Sequence, residues 1–244
     1  MPLTENRPGC LGAFGGTFVL RLFLCAALLV SLRPATGAVL YSFQNGALTD
    51  RVDVDLGVTT DMWWANQFTV QPGGERITSV SIAFGGGWAA GTPVSVLVYE
   101  DPNDDGLPGD LVLVAQVDTT IAGPATTQNV AIPVAPQVSG SFFVGALVLN
   151  APGTANIRSE ITSPQGRSWL AVNETNLGTF DPANPNGAET PPGLIESFIP
   201  GQSTPLIDWM VEATGEPGTP GVPEPGAAAL LLSGMAFLAV LRRR

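Results

Sequence analysis

The sequence predicts an all-β protein, an antiparallel β-sandwich of jelly-roll type with an N-terminal signal helix and a C-terminal transmembrane helix. Three observations predict it. Between Val39 and Ala213 apolar residues recur with period two, in short runs broken by Gly, Pro, Asn and Asp, and no window there carries a helical stripe. In 93–100 (PVSVLVYE), for example, Val94, Val96 and Val98 share one face while Ser95, Leu97 and Tyr99 share the other. Finally, apolar segments lie near both ends of the 244-residue chain, where address labels belong.

Taken in order, Arg21 precedes the apolar run Leu22 to Leu32, and small residues follow at Thr36, Gly37 and Ala38. A run of eleven residues, apolar but for Ser31, is too short to cross a hydrocarbon layer of roughly 30 Å. Residues 1–38 therefore read as a signal peptide cleaved before Val39. A lipoprotein signal is not indicated, because the large Leu24 sits directly before Cys25. Strands are expected at 39–44, 62–70, 77–84, 93–100, 111–121, 128–134, 140–149, 167–172 and 207–213, all within a sandwich domain of residues 39–214. The stretch 180–202 is so rich in Pro, Gly and Asn that it reads as a long irregular excursion, and 215–221 reads as a flexible linker.

Composition excludes much chemistry. The chain has no His and no Lys, and both cysteines, Cys10 and Cys25, fall in the export signal. Ser-His-Asp and Cys-His nucleophile systems, Schiff-base lysines and imidazole metal sites are thereby removed, and no catalytic residue is singled out. From residue 39 to 222 there are 19 acidic residues against four arginines (Arg51, Arg76, Arg158, Arg167), a net of about −15. Such a surface repels nucleic acid and keeps an exported particle soluble.

Residues 222–244 (VPEPGAAALLLSGMAFLAVLRRR) have three parts: rigid Pro223-Glu224-Pro225, sixteen mostly apolar residues from Gly226 to Leu241, and the basic cluster Arg242, Arg243 and Arg244. Sixteen residues at about 1.5 Å each give about 24 Å of helix, enough for a thin or locally thinned bilayer. The arginines would stay on the cytoplasmic side and everything before the motif would lie outside. This order resembles the PEP-CTERM sorting signal. The resemblance covers residues 222–244 only and implies recognition of Pro223, Glu224 and Pro225 by an exosortase-like membrane enzyme that cuts near the motif. It further implies a transient inner-membrane anchor and delivery to the surface or exterior of a bacterium that makes extracellular polysaccharide or biofilm.

Two features of the domain point to ligands. Asp101-Pro102-Asn103-Asp104-Asp105-Gly106 fits the first half of a calcium loop, with side-chain oxygens at positions 1, 3 and 5 and glycine at 6. Position 12 is Val112, which offers no carboxylate, so Asp110 would have to fold back to complete a Ca²⁺ site; the alternative is an acidic turn in which Asx side chains bond their own backbone. Trp63 and Trp64 are adjacent on a strand and must face opposite sides, while Trp88 sits in the loop GGGWAAG. If exposed, these rings would stack sugars; otherwise they fill the core. The expected role is therefore structural or adhesive in an extracellular matrix, with a carbohydrate-binding module, with or without Ca²⁺, as the alternative. A glycoside hydrolase ranks last, since no spacing singles out a pair of carboxylates.

Overall fold

The computed structural model describes residues 37–43, 51–161, 164–195 and 207–218. All but the last two residues of the expected signal peptide, 1–38, and the whole sorting segment with Pro223, Glu224, Pro225, Arg242, Arg243 and Arg244 lie outside the described residues. Within them the chain forms β1 (Val39–Tyr41), β2 (Arg51–Asp55), β3 (Thr60–Thr69), β4 (Arg76–Ala83), β5 (Pro93–Glu100), β6 (Val112–Thr120) and β7 (Thr127–Ala131). There follow β8 (Ser141–Ala151), β9 (Asn156–Glu160), β10 (Ser168–Asn173), β11 (Thr190–Leu194), β12 (Asp208–Trp209) and β13 (Val211–Glu216). Among the described residues no helix is long and apolar enough to cross a membrane.

Every pairing between these strands is antiparallel. One sheet has the order β1-β13-β4-β7, a second β11-β10-β3-β8-β5-β6, and a third β12-β9-β2. The pairs β1–β13, β3–β8, β4–β7 and β5–β6 nest inside one another along the chain, as in one long hairpin rolled over on itself. That is how the eight strands of a jelly roll pair, two Greek keys in two facing sheets. The strands β10 and β11 widen the larger sheet, and the three-stranded sheet is an addition.

Period-two alternation sorts the side chains of the six-stranded sheet. Met62, Trp64 and Phe68 of β3, Val94, Val96 and Val98 of β5, and Phe142, Val144, Ala146 and Val148 of β8 enter the main core. There they meet Ile77, Val80 and Ile82 of β4, with Val211 and Ala213 of β13. The opposite face is also dry. Trp63, Ala65, Leu97, Tyr99, Phe143, Leu147, Trp169 and Ala171 form a second core, closed by Leu111 and Phe180 from the loops. Where β3 and β8 pair, a Cβ on Gly145 would lie 1.9 Å from the Trp64 carbonyl oxygen, so only glycine lets the two backbones approach so closely.

Four readings of the sequence need correction. The expected strand 207–213 changes sheets at Met210: β12 pairs with β9, β13 with β4, and the Met210 N–H donates to Arg158 O at 2.9 Å. The domain also runs past 214. Gly215 and Glu216, assigned to the linker, pair with Ile77 and Arg76, and Arg76 bridges Glu216 at 2.7 Å. Strands β2 and β9 were not expected, although RVDVD alternates plainly. Finally, the excursion contains β11 (TPPGL). It is the edge strand of its sheet, bonded only to β10, and a register shift falls opposite its prolines, so their missing N–H groups cost no inner ladder bond.

Candidate functional site

The β5–β6 hairpin places the acidic loop at one end of the six-stranded sheet. Three carboxylates, of Asp101, Asp105 and Asp110, each contribute an oxygen to a group whose members lie within 4.8 Å of one another. Asp110 reaches it because Pro108–Asp110 form a single 3-10 turn that folds the loop back. That turn is fixed from two sides. Leu111 is buried in the second core, and the Asn186 side-chain amide donates to Pro108 O at 2.7 Å and to Gly109 O at 3.1 Å.

The rest of the loop is drawn around Asp101. Its Oδ2 accepts the Gly106 N–H at 2.7 Å, and its carbonyl accepts the Asp104 N–H at 3.2 Å. Gly106 has φ +73°, and a Cβ there would meet Gln67 Nε2 at 2.7 Å, so glycine serves both the turn and the packing. Asp104 turns away from the cluster and accepts the Ser141 N–H at 2.6 Å, tying the loop to the start of β8. Asn103 forms an Asx turn beside the group: its Oδ1 accepts the Asp105 N–H at 3.0 Å and its amide donates to Asp105 Oδ2 at 3.1 Å. Asn103 thus braces Asp105, and Asp101, Asp105 and Asp110 converge.

Asp101 is the unusual member. It is 2% exposed, and its Oδ1 is buried with no hydrogen-bond partner. Desolvation pushes its carboxyl above the ordinary carboxylate range, the Gly106 N–H opposes the shift, and the negative charges of Asp105 and Asp110 add to it.

The tryptophans do something else. Trp63, Trp64 and Trp88 are 0%, 0% and 2% exposed, so of the two alternatives the rings fill the core and none is exposed to stack a sugar. Trp63 lies in the second core and donates to Tyr99 Oη at 3.1 Å; Trp64 stacks on Trp88 in the main core, with ring centroids 6.4 Å apart. The GGGWAAG loop buries its ring because Trp88 Nε1 donates to Asn156 O at 2.6 Å. Adjacent tryptophans can both be buried here because both faces of the sheet are covered.

A feature without a sequence motif is a polar cavity of about 250 Å³ between the end of β10 and the excursion, lined by Asn173, Asn176, Thr179, Asp181, Asn184 and Glu189, with Phe180 as its aromatic member. Glu189 organises its rim. Its carboxylate accepts the N–H groups of Glu174, Thr175 and Asn176, the Thr175 hydroxyl and the Asn176 amide. Those donors, the Thr175 hydroxyl foremost, hold the Glu189 carboxyl down at about 2.

No family model matches the chain, and neither does any curated protein. Among solved structures it is similar to a variant of the clostridial cysteine protease Cwp84 after propeptide cleavage, at 12% identity and TM-score 0.47 over 76% of this chain and 42% of that one. A second similar structure holds the cysteine protease and lectin-like domains of Cwp84, a surface layer associated protein of Clostridium difficile. It matches at 12% identity and TM-score 0.48, over 76% of this chain and 37% of that one. The chain therefore spans less than half the length of either neighbour.

Proposed function

We propose that this protein is an exported, surface-displayed jelly-roll module with a structural or adhesive, non-enzymatic role in an extracellular matrix, sorted by an exosortase-like enzyme. The observation that carries the proposal is the C-terminal order Pro223-Glu224-Pro225, sixteen mostly apolar residues, Arg242-Arg243-Arg244. Charge asymmetry holds the arginines on the cytoplasmic side and the acidic domain outside, with the motif at the outer surface. The lack of His and Lys supports a role without nucleophilic catalysis.

The test is expression in a host that carries an exosortase, with the mass of the exported protein measured for wild type and Glu224→Ala. Wild type should lose its apolar tail and leave the membrane fraction, while the variant should keep its full mass and stay with the membrane. Equal processing of the two, or none of either, would overturn the sorting proposal. Immunolabelling of intact cells and of shed matrix then tests the display role.

A second reading, a carbohydrate-binding module, is favoured by the cavity at Asn173 to Glu189, where amides, hydroxyls and carboxylates surround a single aromatic ring. It transfers sugar contact from the buried tryptophans to this cavity. A glycan array compared with Asn184→Ala tests it: binding that the variant loses supports a module, and silence across the array removes that reading.

A further inference from the structure

We propose that the loop between β5 and β6 is a Ca²⁺ site whose ligands include the carboxylates of Asp101, Asp105 and Asp110. Convergent acids alone would be an acidic turn. The observation that goes further is the buried Oδ1 of Asp101, which has no hydrogen-bond partner although it belongs to a carboxylate removed from water. An unpartnered carboxylate oxygen is costly in such a place, and two more carboxylates within 4.8 Å deepen the cost. A divalent cation among the three carboxylates neutralises their mutual repulsion and, bound at Oδ1, supplies the partner that oxygen lacks.

The donor chemistry selects the ion. All three side chains offer hard oxygen, and the described domain contains no His or Cys to favour zinc or copper. The loop is prearranged without the ion: Gly106, Ser141 and Asn186 fix its backbone through Asp101, Asp104 and the 3-10 turn. Asp105 and Asp110 are exposed, which leaves that side open for waters to complete the six to eight oxygens that calcium takes, in about the number usual for it. Val112, the twelfth residue of the loop, is replaced in this role by Asp110, two residues earlier.

The experiment is Ca²⁺ titration of the full chain in mild detergent, followed by thermal melting of wild type, Asp110→Asn, Asp105→Asn and, as a control outside the loop, Asp118→Asn. Wild type and Asp118→Asn should melt about 3–5 °C higher at tenfold saturation, with half-effect near the ~0.1–1 mM usual for extracellular modules. Asp110→Asn and Asp105→Asn should lose that rise. The order of stability gives a second readout that survives any general effect of mutation. Without Ca²⁺, Asp110→Asn removes like-charge repulsion and should melt at or above wild type; with Ca²⁺ it should melt below. No saturable rise in wild type up to about 10 mM Ca²⁺, or an equal rise in Asp110→Asn and Asp105→Asn, overturns the proposal. A rise with Mg²⁺ equal to that with Ca²⁺ overturns the assignment of the ion.

Discussion

Asp61 is fully buried at the start of β3, and its carboxylate serves as a fixing point for two distant loops. Oδ1 accepts the N–H groups of Asn150 and Gly178, both at 2.8 Å, and Oδ2 those of Thr179 and Phe180 at 3.1 and 3.3 Å. An amide in its place presents a donor to one pair of donors. Asp61→Asn is therefore expected to destabilise the domain by about 2–4 kcal/mol, read as a lower urea midpoint at unchanged slope. Gly145→Ala is expected to cost at least as much as an ordinary overpacking change, about 1–3 kcal/mol, because its Cβ would collide with backbone and no side chain can give way. Neither position is legible in the sequence. The partners of Asp61 lie 89 to 119 residues away, and nothing local distinguishes it from the many solvated acids. The acidic loop is different: Asp101, Asp105 and Gly106 announce themselves by local spacing, whereas the return of Asp110 depends on where Leu111 and Asn186 are buried or bound.

The segment from Glu174 to Leu194 works as a cover. Phe180, Ala188 and Leu194 pack on the second core, Tyr99 Oη donates to Pro182 O at 2.7 Å, and β11 pairs with β10. Phe180→Ala should cost about 3–5 kcal/mol and shift the emission of Trp63 and Trp169 to the red as water reaches their face. Glu189 ties the first turn of the cover, and its pH dependence has a definite sign. The folded state holds its carboxyl at about 2 against an ordinary 4.5, so its contribution is complete above pH 4.5 and is lost as pH falls through about 2. Proteolysis of the cover should accelerate over that interval in wild type, and Glu189→Gln should remove the interval's slope; the same slope in both would show that Glu189 does not hold the cover. Alternation with an apolar face made strands such as β5 legible, but not the short β2, whose two valines stand among charged residues. What periodicity could not reveal was that the outer face is covered by chain rich in Pro, Gly and Asn, and this is why Trp63 and Trp64, on opposite faces of one strand, are both buried. Nor could it reveal that two prolines are tolerated in β11, because edge position is a property of the sheet.

At the scale of the whole molecule, the nested pairing means that β1 and β13, the first and last strands, close the roll together. Val39 pairs with Gly215, Leu40 with Thr214 and Tyr41 with Ala213, and β1 is the edge of its sheet beyond β13. Three residues give little ladder, so the strand is held mainly through Tyr41. Its ring meets Phe142 edge-on at 4.9 Å, its hydroxyl donates to Gly74 O at 3.0 Å, and the same oxygen accepts the Gln71 N–H at 3.0 Å. The β1–β13 pairing joins the two ends of the domain, so the entropy of closing that loop must be met before it forms, and it belongs late in folding. A chain beginning at Val39 keeps β1 whole, whereas one beginning three residues later lacks it and bares β13 as an unpaired edge. A chain starting at Ser42 is therefore expected to lose several kcal/mol of stability and to associate at concentrations where one starting at Val39 stays monomeric. Tyr41→Phe, which keeps the ring and removes both hydroxyl bonds, should cost only about 1–2 kcal/mol and leave association unchanged. Urea midpoints with size-exclusion profiles separate the two contributions. If the shortened chain matched the longer one in both, β1 would be a passive extension and the closure of the roll would rest on β13 and β4 alone.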